Sequence, residues 1–242
     1  MSDPAVMISF RVGPGGRLSG RHQVPGDKSI SHRAVMLAAL ADGTTRIRGF
    51  LDGEDCLCTL RAFEAMGATV QRISATELTV TGVGVDGLRA PGGVLDVGNS
   101  GTSMRLMSGV LAAQPFASTL TGDASLRRRP MQRVTEPLSR MGARIQTQPA
   151  GRAPLEIAPA AGLQAIVHHS PVASAQVKSA LLLAGLYADG TTEVHEPEAS
   201  RDHTERMLGA FGVTVTARAG YAAVVGGQRL SATDIDVPGD IS

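Results

Sequence analysis

Residues 60–70 read LRAFEAMGATV, and the chain returns to that pattern twice, as VTEPLSRMGARI over 134–145 and TERMLGAFGVTV over 204–215. In each stretch apolar residues at helical spacing run up to a glycine, and an alternating strand follows. Glycine is the residue expected just past a helix end, where the backbone turns left-handed. The three glycines, Gly67, Gly142 and Gly212, stand 75 and 70 residues apart. A period of roughly seventy residues implies an internal structural repeat.

The segments upstream agree with one another as well. DKSISHRAVMLAALADGTTRIRGF carries an apolar helix expected from Ser29 to about Leu40. GNSGTSMRLMSGVLAAQPFASTLTG carries one from near Ser100 to about Ala113, and PVASAQVKSALLLAGLYADGTTEVHEP one from Ser174 to about Tyr187. A short turn and an alternating strand follow each: TTRIRGF, ASTLTG and TTEVHEP. The unit is helix, strand, helix, strand, with further strands such as ELTVTGV and PLEIAPA between units. Short, turn-bounded strands alternating with helices predict an α/β domain of three similar units, not a doubly wound nucleotide fold.

Composition narrows the function. The 242 residues are 43% hydrophobic and 19% charged, enough for a real core. A net charge of +1 gives no bulk attraction to nucleic acid or to an acidic membrane surface. Aromatics at 3%, with no Trp, argue against base-stacking platforms. Cys56 and Cys58, one residue apart, suit neither a disulfide framework nor a zinc site, and a reducing cytoplasm is the simpler expectation. MSDPAVMISF lacks a basic-then-apolar signal pattern. The longest apolar run, ALLLAGLYA from Ala180, is half the roughly 20 residues a membrane span needs.

Cations follow the repeat. Lys28 opens the first helix with Arg33 a turn further in, Arg105 lies five residues after Ser100, and Lys178 four after Ser174. A helix N-terminus already carries partial positive charge, so a cation there is unfavourable for the helix alone. Three such helices predict a shared anionic ligand. A second echo joins the chain ends: VPGD at 24–27 returns as VPGD at 237–240. Pro-Gly marks a turn in both copies.

Five strings, in order along nearly the whole chain, carry a family resemblance: GDKSISHR, GNSGTSMR, GDASLRRRPM, SAQVKSALLLAGL and SRDHTE. Together they resemble 5-enolpyruvylshikimate-3-phosphate synthase. The resemblance implies one domain of the two-domain enolpyruvyl transferase fold, an inside-out α/β barrel of three βαβαββ units. The two VPGD segments would be the crossings between domains. Residues 1–22 would then be a strand segment of the other domain, 23–238 the three-unit domain, and 239–242 the start of the return crossing. The chain would be roughly the first half of a family member, and the partner implied is the remaining half. The full enzyme is expected to be a monomer and to need no metal or other cofactor.

The family reaction adds the 5-hydroxyl of shikimate 3-phosphate to C2 of phosphoenolpyruvate, and phosphate leaves through a tetrahedral intermediate. Both substrates are anions, so preorganised cations and helix N-termini are what the site requires. The resemblance makes Lys28 the catalytic lysine that touches both substrates. It gives Ser29 to the 3-phosphate region and Arg33 to the shikimate carboxylate. Asn99, Ser100, Gly101 and Thr102 match the phosphoenolpyruvate loop, and Arg129 its clamping arginine, with Arg127 and Arg128 as solvated neighbours. Ser174, Ala175 and Gln176 match the shikimate 3-phosphate segment, where Ala175 can offer only its backbone N–H. Arg201 matches a phosphate-binding arginine, while His203, His168 and His169 are given no ligand role. Gly101, where some relatives carry Ala, implies sensitivity to glyphosate. The sibling UDP-N-acetylglucosamine enolpyruvyl transferase commonly has Lys-Asn at Lys28–Ser29 and a reactive Cys at Ala124, and this chain departs from both. A different reading also stands: the general-base aspartate belongs to the second half, so the chain could be a binding module for shikimate 3-phosphate alone.

Overall fold

The computed structural model describes residues 23–241 together with Arg11, Gly13, Gly15, Gly16, Ser19 and Gly20. The strand expected in the leading segment lies almost wholly outside the described residues.

Three units follow one another. The first holds α1 (Lys28–Leu40), β1 (Ala41–Asp42), β2 (Thr44–Arg48), α2 (Glu54–Ala65), β3 (Thr69–Arg72) and β4 (Glu77–Thr81). The second holds β5 (Leu95–Asp96), α3 (Gly101–Leu111), β6 (Ser118–Thr121), the short α4 (Ala124–Arg127), α5 (Gln132–Arg140), β7 (Ile145–Gln148) and β8 (Arg152–Ile157). The third holds β9 (Leu163–Gln164), β10 (Val167–His169), α6 (Ala175–Gly185), β11 (Ala188–Asp189), β12 (Thr191–His195), α7 (His203–Ala210), β13 (Val215–Arg218) and β14 (Tyr221–Val225). Two short strands, β15 (Leu230–Ser231) and β16 (Ile235–Asp236), close the described chain.

The glycine pattern marks three identical helix ends. At α2, Gly67 N–H donates to Glu64 O at 3.0 Å and Ala68 N–H to Phe63 O at 3.1 Å. Gly142 and Ala143 do the same to Ser139 and Leu138, and Gly212 and Val213 to Gly209 and Leu208. This paired bonding is the Schellman ending, which satisfies orphan carbonyls by turning one residue to positive φ. The φ values are 108°, 103° and 85° at Gly67, Gly142 and Gly212.

The first helix of each unit is inside. Every residue from Ser31 to Leu40 is buried, as are Met104, Leu106–Leu111 in α3 and Val177–Gly185 in α6. A helix apolar on all sides has to be covered on all sides. α3 and α6 touch backbone to backbone: a Cβ on Gly109 would sit 2.1 Å from Ala180 O.

Three four-stranded sheets cover this core, ordered β16-β2-β4-β3, β5-β6-β8-β7 and β10-β12-β14-β13. In each the leading pair is parallel and the others antiparallel. The leading strand of the first sheet is β16, from the end of the chain, so the third unit closes onto the first. The VPGD echo lies at this closure. Gly26 and Gly239 form an antiparallel bridge, Asp27 N–H donates to Pro238 O at 2.8 Å, and Asp240 N–H to Pro25 O at 2.9 Å.

Candidate functional site

The helices α1, α3 and α6 are each N-capped by an oxygen-bearing side chain. Asp27 accepts from Ile30 N–H at 2.7 Å, Ser100 from Ser103 N–H at 3.0 Å, and Ser174 from Val177 N–H at 3.5 Å. None of the three has an acidic residue in its first turn, whereas α2 carries Glu54 and Asp55 and α7 carries Glu205. Carboxylates already stand at two of these helix starts, Asp27 as the cap of α1 and Glu196 on the Ser174 N–H of α6, while α3 is capped by the neutral Ser100 hydroxyl. The first helix starts at Lys28 behind Asp27, one residue before the serine start read from sequence.

Seven of the expected residues line one cavity of about 290 Å³: Ser29, Arg33, Thr102, Ser174, Ala175, Gln176 and Arg201. Ser200 and His203 complete its wall. Arg33 ties three helices together there. Its Nη1 donates to Ser29 O at 2.9 Å, its Nε to Thr204 Oγ1 at 2.7 Å and its Nη2 to Ser179 Oγ at 2.8 Å. Burial pushes Arg33 down to about 10, with Arg201 adding to the push against Glu205 and Asp27. Gln176 bridges to α3, donating to Thr102 Oγ1 at 3.0 Å and accepting from Arg105 Nη1 at 3.0 Å. His203 is pushed below its ordinary value by burial and then by Arg33.

Asn99, Gly101 and Arg129 gather beside the start of α3. Arg129 Nη2 donates to Asn99 Oδ1 at 2.5 Å, and Asn99 Nδ2 donates to Asp123 Oδ2 at 2.6 Å. Arg105 Nη1 also reaches Gly101 O at 3.2 Å. Burial, and then the like charges of Arg129 and Arg133, push the Arg105 guanidinium below its ordinary value. Cations that destabilise one another are stabilised by an added anion. Arg127 and Arg128 are exposed, and Arg129 is half-buried. Lys28 is half-exposed and paired with Asp55.

Lys178 corrects the sequence reading. It is buried and paired with Glu196 at 3.0 Å and Glu205 at 2.8 Å, so it is no open cation for a ligand. Its helix is buried on every side, and a lysine four residues past the cap is turned inward, where only a carboxylate can hold its charge.

A buried polar cluster under the starts of α1 and α3 escaped the sequence reading. His32 Nδ1 lies 2.8 Å from Thr59 Oγ1 and 3.2 Å from Ser103 Oγ, and His32 Nε2 lies 3.2 Å from Ser100 Oγ. Ser103 Oγ donates to Ser100 Oγ at 2.7 Å, and Thr59 Oγ1 donates to Ser103 Oγ at 2.6 Å. Those donors leave His32 Nδ1–H to donate to Thr59 and Nε2 to accept from Ser100. Burial, reinforced by Lys28, pushes His32 down to about 3, so it is neutral at physiological pH. The signal was present: hydroxyl residues inside otherwise apolar helices need partners, and in α1 the polar candidates are few.

Fold and site define a class: a three-unit α/β domain whose capped helix N-termini meet beside one cavity. The sequence model of EPSP synthase (3-phosphoshikimate 1-carboxyvinyltransferase) matches residues 12–242. The 3-phosphoshikimate 1-carboxyvinyltransferases of Methylococcus capsulatus and Alkalilimnicola ehrlichii are each 59% identical over 235 residues, 97% of this chain and 54% and 53% of theirs. A solved EPSP synthase from Acinetobacter baumannii matches with TM-score 0.89 at 54% identity, over 92% of this chain and 50% of that one. The chain belongs to the EPSP synthase family, and it spans about half the length of these relatives.

Proposed function

We propose that the chain is the shikimate 3-phosphate-binding half of a 3-phosphoshikimate 1-carboxyvinyltransferase. The cavity uniting Ser29, Arg33, Ser174, Gln176 and Arg201 carries this reading. The phosphate is met by Ser174, the Ala175 N–H and Arg201, at a helix end with no acidic first turn. Ser29 serves the same region, Gln176 contacts the ring, and Arg33 faces the carboxylate. Phosphoenolpyruvate lies toward Asn99, Gly101, Thr102 and Arg129, with Lys28 between the two anions as a mobile point charge. Asp55, now its partner, holds it until the substrates arrive.

Residues 1–22 and 239–242 are assigned to the crossings and to the other domain, and 23–238 to the three-unit domain. The second half supplies the general base and further cations, so the partner of this chain is that half, and the whole enzyme is a monomer. The compartment is the cytoplasm, consistent with two free cysteines. Among the described residues no helix is long and apolar enough to cross a membrane. Gly101 makes the whole enzyme sensitive to glyphosate.

A narrower second reading, a binding module without turnover, concerns the stretch this chain spans, about half the length of the relatives. Phosphate release from phosphoenolpyruvate and shikimate 3-phosphate decides between them. The chain alone is expected to release none, and the chain mixed with the second half of the Methylococcus capsulatus enzyme to release phosphate, lost in Lys28→Ala. Turnover by the chain alone would contradict the need for two halves. An inactive mixture that binds shikimate 3-phosphate would leave the binding module.

A further inference from the structure

Two walls of the 290 Å³ cavity come from the start of α6 at Ser174 and the turn at Ser200–Arg201, and behind them α6 and α7 are joined through Arg33, Ser179 and Thr204. A single side chain reaches both walls. Glu196, the residue immediately after β12, is 8% exposed. Its Oε1 accepts from Ser174 N–H at 2.6 Å, and its Oε2 accepts from Ser200 Oγ at 2.7 Å. Lys178 Nζ lies 3.0 Å from the same Oε2 and is tied to Glu205 at 2.8 Å.

We propose that Glu196 is a positioning residue whose carboxylate clamps the two walls of the anion cavity together and fixes the Ser174 cap against the Ser200–Arg201 turn. The inference rests on reading this cavity as the site of a phosphorylated ligand. Charge alone argues against a carboxylate here. One lysine and two glutamates bury a net negative charge behind a cavity for an anion. A buried ion group of this kind is also weak as a source of stability. The carboxylate does what no neutral side chain can: it accepts from an N–H, a hydroxyl and an ammonium at once. Burial opposes its ionisation, but the Ser200 and Ser174 donors and Lys178 outweigh burial and hold it below the usual carboxylate range. Using the Ser174 N–H in this way leaves the Ala175 and Gln176 N–H groups, one step into α6, for the ligand.

The geometry predicts opposite signs for clamp and field. In Glu196→Gln the amide must turn an NH₂ toward either Ser174 N–H or Lys178, so one bond fails while a negative charge is removed. Loss of the clamp weakens binding of shikimate 3-phosphate about tenfold, the scale of a hydrogen bond to a charged group. A field effect would tighten it. Glu196→Asp keeps the charge but shortens the arm, and it is expected to weaken binding as well. Glu205→Gln removes the same charge from the same lysine without touching either wall.

Amide hydrogen exchange on the 242-residue chain is the ligand-free readout. Exchange at Ser174 is expected to quicken about tenfold in Glu196→Gln and Glu196→Asp, and to stay at the wild-type rate in Glu205→Gln. Equal exchange in wild type and both Glu196 variants, or tighter binding in Glu196→Gln, would overturn the clamp. Should Glu196→Gln not fold, Glu196→Asp decides by the same readout. A wild-type chain that binds no shikimate 3-phosphate would instead overturn the functional reading, while the Ser174 exchange contrast still decides the clamp.

Discussion

His32 shows what a single residue contributes at the site without touching a ligand. It fixes the hydroxyl of Ser100, the cap of α3, from beneath. It is neutral in the fold because burial pushes it down to about 3 from 6.5. As pH falls below 6.5 the unfolded chain takes up a proton that the folded chain refuses, so stability drops through the window from 6.5 toward 3. Between pH 7 and pH 5 this one group is expected to cost about 2 kcal/mol. Urea melts at the two pH values check it: His32→Asn is less stable at pH 7 but shows a flatter fall by about that amount. Equal slopes in wild type and variant would contradict a neutral buried His32. Gly101 makes a different residue-scale prediction. A methyl there would lie 2.6 Å from Arg105 Nη1, the movable end of a long side chain. Gly101→Ala is therefore expected to change stability by less than about 1 kcal/mol. It displaces Arg105 from Gln176 and weakens phosphate binding, read by melting temperature and phosphate titration. A large loss of stability with unchanged phosphate binding would contradict it. Ser29, Arg33 and the Ser174–Gln176 run, which the resemblance names, line one cavity, while Lys28 is not among its lining residues. The inward turn of Lys178 was not legible, since spacing along a helix does not say which face is covered.

At the scale of elements, glycine acts for two separable reasons. Gly212 ends α7 at φ 85° in open space, its nearest would-be neighbour being Ser231 Oγ at 4.0 Å. Gly212→Ala is expected to cost about 1–2 kcal/mol of backbone strain and to leave ligand affinity alone. Gly109 lies in ordinary helix but against the α6 backbone. Gly109→Ala is expected to cost about 3 kcal/mol, the upper end for overpacking, and to weaken shikimate 3-phosphate binding by parting Thr102 from Gln176. Denaturant melts paired with ligand titrations distinguish the two, and equal effects on affinity would contradict the assignment. The C′ glycines were readable because a helix end is written in adjacent residues. The role of Gly109 was not, because its cause lies about seventy residues away in α6.

Over the described residues the three units close on one another where Gly26 meets Gly239 and β16 joins β2. The repeat, the order of the longer helices and strands such as β2, β4, β6, β8 and β12 followed from periodicity, while the short strands β1, β5, β9, β10 and β11 and the one-turn α4 carry too little pattern. The lead strand of the first sheet did not follow either, because β16 comes from the far end of the chain and two residues carry too little pattern. The VPGD echo was visible as a repeated string, and its physical content is the Gly26–Gly239 bridge that brings the two ends together. That closure sets α1 beside α6 and α7, which Arg33 then bonds into one wall. On the proposed reading, a domain closed in this way holds its part of the substrate site on its own. Calorimetric titration of the chain with shikimate 3-phosphate tests this most directly. Saturable one-site binding is expected, falling about tenfold or more in Ser174→Ala and Lys28→Ala. No heat of binding at millimolar ligand, or affinity unchanged in both variants, would contradict a site formed by this chain.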